Sequence, residues 1–316
     1  APQGRKGRLP DGGGEIKTRS YQMTSYRYNT QARESDNSDR GLYTMTDHDG
    51  ISYYYRGNVT NNYVYFAGYY WRIIRRNGDG SVRLLYAGTS PDASGTMMQI
   101  DYVSFHGNKT NPGYVGYMYG NTLNESYEKT YTNDNDSTIK AELDNWYKIN
   151  IVDKNLEHYI ADSGFCNDRS LYNGDGFSSS GDTYFGGYQR YMEHAPTLIC
   201  PRQNDLFTVD NSDGNQDLIY PIGLITVDEL LLSGMFEGIY NKLAYTYSSA
   251  SYWTMSPSRF VSTNATAQEF LLHSDGFANY YWAIDIRQGI RPVINLAADV
   301  EITGGIGTKN SPFVVK

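Results

Sequence analysis

The clearest grouping of apolar positions into strand-like runs lies between residues 41 and 90. "SYYYRGNV" (52–59), "YVYFAGYYWRIIRR" (63–76) and "SVRLLYAG" (81–88) are runs of aromatic and β-branched residues, the composition of half-buried strands. "NGDG" (77–80) joins the last two runs. Asn-Gly and Asp-Gly accept the positive φ of a tight hairpin, so the passage predicts a three-strand meander. Residues 101–135 are rich in Asn, Gly, Tyr and Thr without a clear period, and predict long surface loops.

The period changes at "DSTIKAELDNWYKINI" (136–151). Ser137 is placed to cap a helix, and Ile139, Leu143 and Trp146 recur at helical spacing. "DKNLEHYI" (153–160) predicts a second short helix, in which His158 reads as a packed rather than a catalytic residue. "TVDELLLSG" (226–234) pairs Thr226 with Glu229 in a capping box and ends on Gly234. Strand-like runs then return: "SYWTMSP", "QEFLLHSDG", "YYWAIDI", "GIRPVINL" and "SPFVVK". "HSDG" (273–276) and "RQG" (287–289) read as hairpin turns between them. A terminal strand such as "PFVV" is expected to pair with an early one. Strands that flank helices and long loops make an α+β pattern.

Residues 1–40 differ from the rest. Pro, Gly, Arg and Ser abound and core-forming residues are few, which predicts a flexible arm or linker ahead of a folded domain over 41–316. Within the arm, the partly alternating Tyr21, Met23, Tyr26 and Tyr28 could add a strand to a neighbouring subunit. Ala1 stands where an initiator methionine would, which leads to the expectation of a removed leader or anchor.

Composition narrows the function. Only 39% of residues are hydrophobic, yet 31 are tyrosine. Tyrosine combines a rigid apolar face with a polar tip, which suits binding surfaces, and it equally fills the core of a β-rich protein poor in Leu and Ile. A net charge of −8 with no basic run beyond the arm argues against nucleic-acid binding. The longest apolar stretch, "LIYPIGLITVDELLL" (218–232), is too short and broken to span a membrane. Cys166 and Cys200 predict one disulfide formed outside the cytoplasm, with two buried thiols as the alternative. No Cys-x-x-Cys pattern or neighbouring histidine favours a metal site. The loops "NGDGFSSSGD" (173–182) and "NSDGNQD" (211–217) could take calcium but lack the full EF-hand spacing. No cofactor is expected.

"ANYYWAIDIRQGIRPVINL" (278–296) crowds aromatic and charged residues against one of the chain's best core segments. "GIRPVINL" reads as a buried scaffold strand, in which Pro292 requires an edge or a bulge and Arg291 would hold an internal carboxylate. The preceding hairpin would carry contacts. By alternation, Tyr280 and Trp282 share one face and Tyr281 takes the other. Trp253 reads as core.

Several phrases together resemble a group of Gram-positive and gut-bacterial surface proteins: "FAGYYWRIIRRNGDGSVRLLY", "FCNDRS", "YPIGLITVDELLLSG", "YWTMSP", "GIRPVINL" and "GGIGTKNSPFVV". These are similar to members of the C-type-lectin-fold superfamily, which includes formylglycine-generating-enzyme-like domains and the variable proteins of diversity-generating retroelements. The resemblance covers about residues 41–316. It implies an α+β scaffold with two helices, small twisted antiparallel sheets and long loops, and a ligand surface over residues 252–287. Within that span Arg259, Phe260, His273, Asp275, Asn279, Tyr280, Tyr281, Trp282, Asp285 and Arg287 are the candidate contacts. Formylglycine-generating relatives bind copper through two cysteines held close together. Cys166 and Cys200 are distant in sequence and neither lies near the final strands, which argues against that chemistry. No Gly-x-Ser-x-Gly, His-Glu-x-x-His or phosphate-loop pattern is present.

The sequence therefore points to an extracellular ligand-binding or adhesion module for a protein or glycan. One alternative is a structural subunit of a surface assembly, homo-oligomeric through residues 1–40. A hydrolase needing only two carboxylates is the other.

Overall fold

The structure, a computed structural model, describes residues 16–20, 41–120, 126–178 and 181–315. The expected arm strand at Tyr21–Tyr28 lies outside them. The chain is α+β. Two large sheets, of nine and six strands, enclose a continuous core that includes Trp71, Leu84, Leu143, Phe165, Leu230, Trp253, Leu271 and Ile294.

The nine-stranded sheet contains the predicted meander, with one more turn than the sequence suggested. "YVYFAGYYWRIIRR" is two strands, Tyr63–Phe66 and Tyr69–Arg76, paired across Ala67 and Gly68. Both turn residues have positive φ, 58° and 92°, the requirement of a two-residue hairpin turn whose twist matches its strands. Val82–Gly88 follows after "NGDG" and pairs with Tyr69–Arg76. Gly41–Asp47 and Gly50–Arg56 form a hairpin that extends the sheet, and Ile16–Ser20 adds in parallel to Gly41–Asp47. The terminal strand Phe313–Val315 pairs in parallel with Tyr63–Phe66, as expected of a chain closing on itself.

Three α-helices are described. α1, Thr138–Asn150, begins at Ser137, whose Oγ accepts from the Lys140 amide at 3.2 Å, and buries Ile139, Leu143 and Tyr147. "DKNLEHYI" forms two single 3-10 turns, Val152–Lys154 and Glu157–Tyr159, in place of the predicted helix. α2, Gly186–Glu193, was not foreseen. α3, Val227–Ser233, has the predicted capping box: the Glu229 amide donates to Thr226 Oγ1 at 3.1 Å, and the Thr226 amide to Glu229 Oε2 at 3.0 Å. The capping carboxylate also ties α3 to the sheet through Arg75 and Arg83. Burial pushes the Glu229 carboxyl up, and the two guanidiniums outweigh that and leave it below its ordinary value.

"RQGIRPVINL" departs most from expectation. Arg287–Gly289, read as a turn, is a strand of the six-stranded sheet, antiparallel to Tyr102–Ser104. The chain then crosses at Ile290–Pro292 and enters the nine-stranded sheet as Val293–Leu296, beside Val82–Gly88. Pro292 falls in the crossover, where no ladder amide is needed, and its carbonyl accepts from Tyr86 at 2.9 Å. Among the described residues Arg291 holds no carboxylate. It is fully buried and donates to the carbonyls of Tyr86 (2.9 Å) and Thr246 (2.8 Å).

Cys166 and Cys200 form a disulfide, with Cα atoms 5.6 Å apart. Among the described residues no helix is long and apolar enough to cross a membrane.

Candidate functional site

Strands Tyr252–Val261, Thr266–Leu272 and Ala278–Ala283 run back and forth in the six-stranded sheet, with Ala278–Ala283 at its edge. Across the last pair, Leu271 stands opposite Asn279 and Glu269 opposite Trp282. Tyr280 and Tyr281 therefore face Phe270 alone, which is a β-bulge. The extra residue breaks the alternation that would have sent the two tyrosines to opposite faces. Their ring centroids are 3.9 Å apart and their hydroxyls are hydrogen-bonded to each other. Tyr280 is 8% exposed and Tyr281 48%. Tyr280 is thus a support beneath Tyr281, not the surface contact the sequence suggested.

The support continues into α2. Tyr280 packs edge-on against Tyr188 at 5.1 Å and lies 5.8 Å from Tyr191. Tyr191 also packs on Phe270 and donates its hydroxyl to the Ala278 carbonyl at 2.7 Å. Tyr184 lies 4.6 Å from Tyr188. The helix approaches closely because it starts on two glycines: a Cβ at Gly186 would come within 2.5 Å of Ser170 Oγ, and one at Gly187 within 3.3 Å of Val227.

Arg259 brings the one cation of this cluster. Its guanidinium carbon is 4.9 Å from the centre of the Tyr281 ring. Its Nε donates to Gln268 Oε1 at 2.7 Å, and Gln268 Nε2 donates in turn to the Tyr281 carbonyl at 2.8 Å. Tyr240, 47% exposed, stacks on Phe277 nearby. Burial raises the hydroxyls of Tyr188, Tyr191 and Tyr280 above the ordinary tyrosine value, so the surface is aromatic and hydrogen-bonding, with Arg259 beside Asp182 at 3.9 Å and Glu237 close enough to act on Tyr191 and Tyr280.

The edge strand offers few free backbone groups. Asn279 Oδ1 accepts from the Tyr281 amide at 2.8 Å, and Ser258 Oγ donates to the Tyr280 carbonyl at 2.9 Å. With Gln268 and Tyr191 occupying two more carbonyls, recognition here falls to side chains rather than to strand addition.

The ten residues singled out by sequence do not form one surface. Arg259, Tyr280 and Tyr281 converge with α2. Phe260 is half-buried against the core, paired with Thr183. His273 Nδ1 lies 2.9 Å from Asp275 Oδ1, which also accepts from the Phe277 amide at 3.0 Å, so this pair shapes the hairpin turn. Asn279 is spent on its own strand. Trp282 lies past the bulge, edge-on to His273. Asp285 pairs with Lys109 at 3.0 Å, and Arg287 reaches the Tyr102 carbonyl at 2.8 Å, beside another strand. Tyr184, Tyr188, Tyr240 and Phe277 were missed. Tyr184, Tyr188 and Tyr191 do fall at helical spacing, a signal that Gly186–Gly187 conceals.

A concavity elsewhere is lined by Asp47, Arg75, Arg83, Asp168, Arg190, Asp228, Glu229 and the disulfide, with Asp49 and Asp213 also on its wall. Its buried charges pair with one another: Arg75 with Asp47 and Glu229, and Arg190 with Asp168 and Asp228, each at 2.7–3.2 Å. Such a network holds α2, α3 and the sheet together. In the loop 211–217, Asn211 and Asn215 cap their own backbone, accepting from Asp213 and Asp217. Among the described residues no group of three or more His, Cys, Asp or Glu side chains is placed to hold a metal ion.

Comparison with protein-family models, curated proteins and solved structures finds no match to this chain.

Proposed function

We propose that this chain is an extracellular ligand-binding or adhesion module that presents an aromatic surface on its C-terminal hairpin. The observation that carries the reading is the exposed Tyr281 ring, fixed by the buried Tyr280 and by Arg259 and continuous with Tyr188 and Tyr184. Aromatic and arginine anchors held by a packed layer are the pattern of binding hot spots. The disulfide supports an oxidising compartment. The α+β arrangement, with its last strand closed against an early one, is the frame on which we read a C-type-lectin-like domain.

The test is a screen of the full chain against a glycan array and an array of extracellular proteins, in parallel with a Tyr281→Ala/Arg259→Ala double variant. Binding by the wild type that the variant loses, at an unchanged melting temperature, supports the reading. Failure of the wild type to bind either array, or equal binding by the variant, overturns it.

One observation favours the second reading, an assembly subunit. Ile16–Ser20 occupies the outer edge of Gly41–Asp47, and a neighbour's strand would fit the same edge. Concentration-dependent assembly lost on deletion of residues 1–40 would support it.

A further inference from the structure

Glu269 lies in the middle strand of the C-terminal meander and is completely buried. Neither of its carboxyl oxygens has a hydrogen-bond partner among the described residues. Directly opposite, on the edge strand, stands Trp282, whose Nε1 is also buried and also without a partner. Residues opposite each other in an antiparallel pair carry their side chains on the same face, with Cβ atoms about 5 Å apart. Buried Arg75, Arg83 and Arg169 are each matched by a carboxylate, whereas these two unsatisfied polar side chains share one face of the sheet at opposed positions. Buried polar groups are rarely left so.

We propose that Glu269 and Trp282 form a buried subsite for a hydroxyl group of a carbohydrate ligand. The assignment rests on the ligand-binding reading above and names its ligand class. The indole N–H can only donate. A carboxyl group in an apolar surround is protonated, and offers one donor and an acceptor. A hydroxyl both accepts and donates, so one such group satisfies both partners. An ammonium group would pair with the carboxylate and leave the indole N–H without an acceptor. The Trp282 ring, edge-on to His273 at 5.9 Å, adds the apolar face against which a sugar ring packs. Entry of the hydroxyl requires Trp282 to move aside; it is half-buried and its strand has a neighbour on one side only.

The experiment follows the indole N–H resonances of the four tryptophans in the isotopically labelled full chain, with Trp282→Phe to assign the one concerned. The probes are methyl glycosides of glucose, galactose, mannose and N-acetylglucosamine, with choline and butylamine as cationic controls. The expected result is a saturable shift of the Trp282 resonance with at least one glycoside. Glu269→Leu then weakens that glycoside about tenfold, the loss of roughly one hydrogen bond to a buried group, while Glu269→Gln, which keeps a donor and an acceptor, retains it. If Glu269→Leu does not fold, Trp282→Phe, measured by calorimetry, must show the same weakening. Movement of the Trp282 resonance by the amines instead, by no probe, or equal glycoside binding by the Leu variant overturns the subsite. Array binding that leaves the Trp282 resonance unmoved overturns the subsite alone and leaves the ligand-binding reading standing.

Discussion

The guanidinium of Arg291 lies 4.7 Å from the centre of the Tyr252 ring, where the chain passes from one sheet to the other. Its nitrogens meet the carbonyls of Tyr86 and Thr246, so a single side chain satisfies backbone left open by the crossover at Pro292. Arg291→Met, which keeps the volume and removes the donors, takes a partner from both carbonyls; Thr246 keeps the Tyr252 hydroxyl as a donor at 2.8 Å, so the main loss falls on Tyr86. At about 1–3 kcal/mol for a buried group left unsatisfied, partly offset by the apolar replacement, the expected loss is about 1–3 kcal/mol. Urea denaturation measures it, and an unchanged midpoint would show that the crossover is held by other contacts.

Tyr280 and Tyr281 separate support from contact. Tyr280→Ala empties space among Tyr188, Tyr191 and Phe270 and should cost about 3–5 kcal/mol, the range for large aromatic truncations in cores. Tyr281→Ala, on a ring that is 48% exposed, should cost less than about 1 kcal/mol. Thermal melts of the two variants side by side test the assignment; equal losses would place both rings in the core.

Glu269 makes stability depend on pH in a direction unlike most carboxylates. Burial pushes its carboxyl well above the ordinary glutamate value of about 4.5. The folded protein then binds a proton that the unfolded chain releases above about pH 4.5. Its contribution is fully present below that pH and is lost as pH rises. Glu269→Gln removes the dependence. The variant should match the wild type at pH 4 and exceed it at pH 7, the gap widening by up to about 1.4 kcal/mol per pH unit while the folded side chain stays protonated. Denaturation midpoints across that range measure it, and a gap that closes with rising pH would contradict the burial of an unpaired acid.

The disulfide closes a loop of 34 residues that contains all of α2. In the chain-entropy model this is worth about 4 kcal/mol. The Cys166→Ala/Cys200→Ala variant should unfold earlier by that amount, and α2 with Tyr188 should loosen first. Amide exchange would show protection lost over 186–193 ahead of the sheets; uniform loss would tie α2 to the core independently of the bridge.

Local chemistry made much of this fold legible in the sequence. Ser137 and the Thr226–Glu229 box reveal helix starts because a cap is read within four residues, and "NGDG" reveals a hairpin because the turn itself demands those residues. What escaped depends on distant partners. Ala67 occupies a positive-φ turn position that favours other residues, so the Ala67–Gly68 hairpin was hidden. Gly186–Gly187 start a helix because Ser170 and Val227 leave no room for side chains, and two glycines otherwise argue against one. The bulge at Tyr280–Tyr281 exists only in the register between two strands. Alternation along one strand could identify the aromatic residues of the site but not which would face outward.

The satisfied edge at Ala278–Ala283 has a consequence for the molecule in a crowd. A tyrosine-rich strand on an open sheet edge is the template from which cross-β stacking starts. Here a bulge interrupts the ladder, and Asn279, Ser258, Gln268 and Tyr191 take up the groups that a neighbouring chain would need. Many copies can stand close together, their sticky rings outward, without zipping into one another.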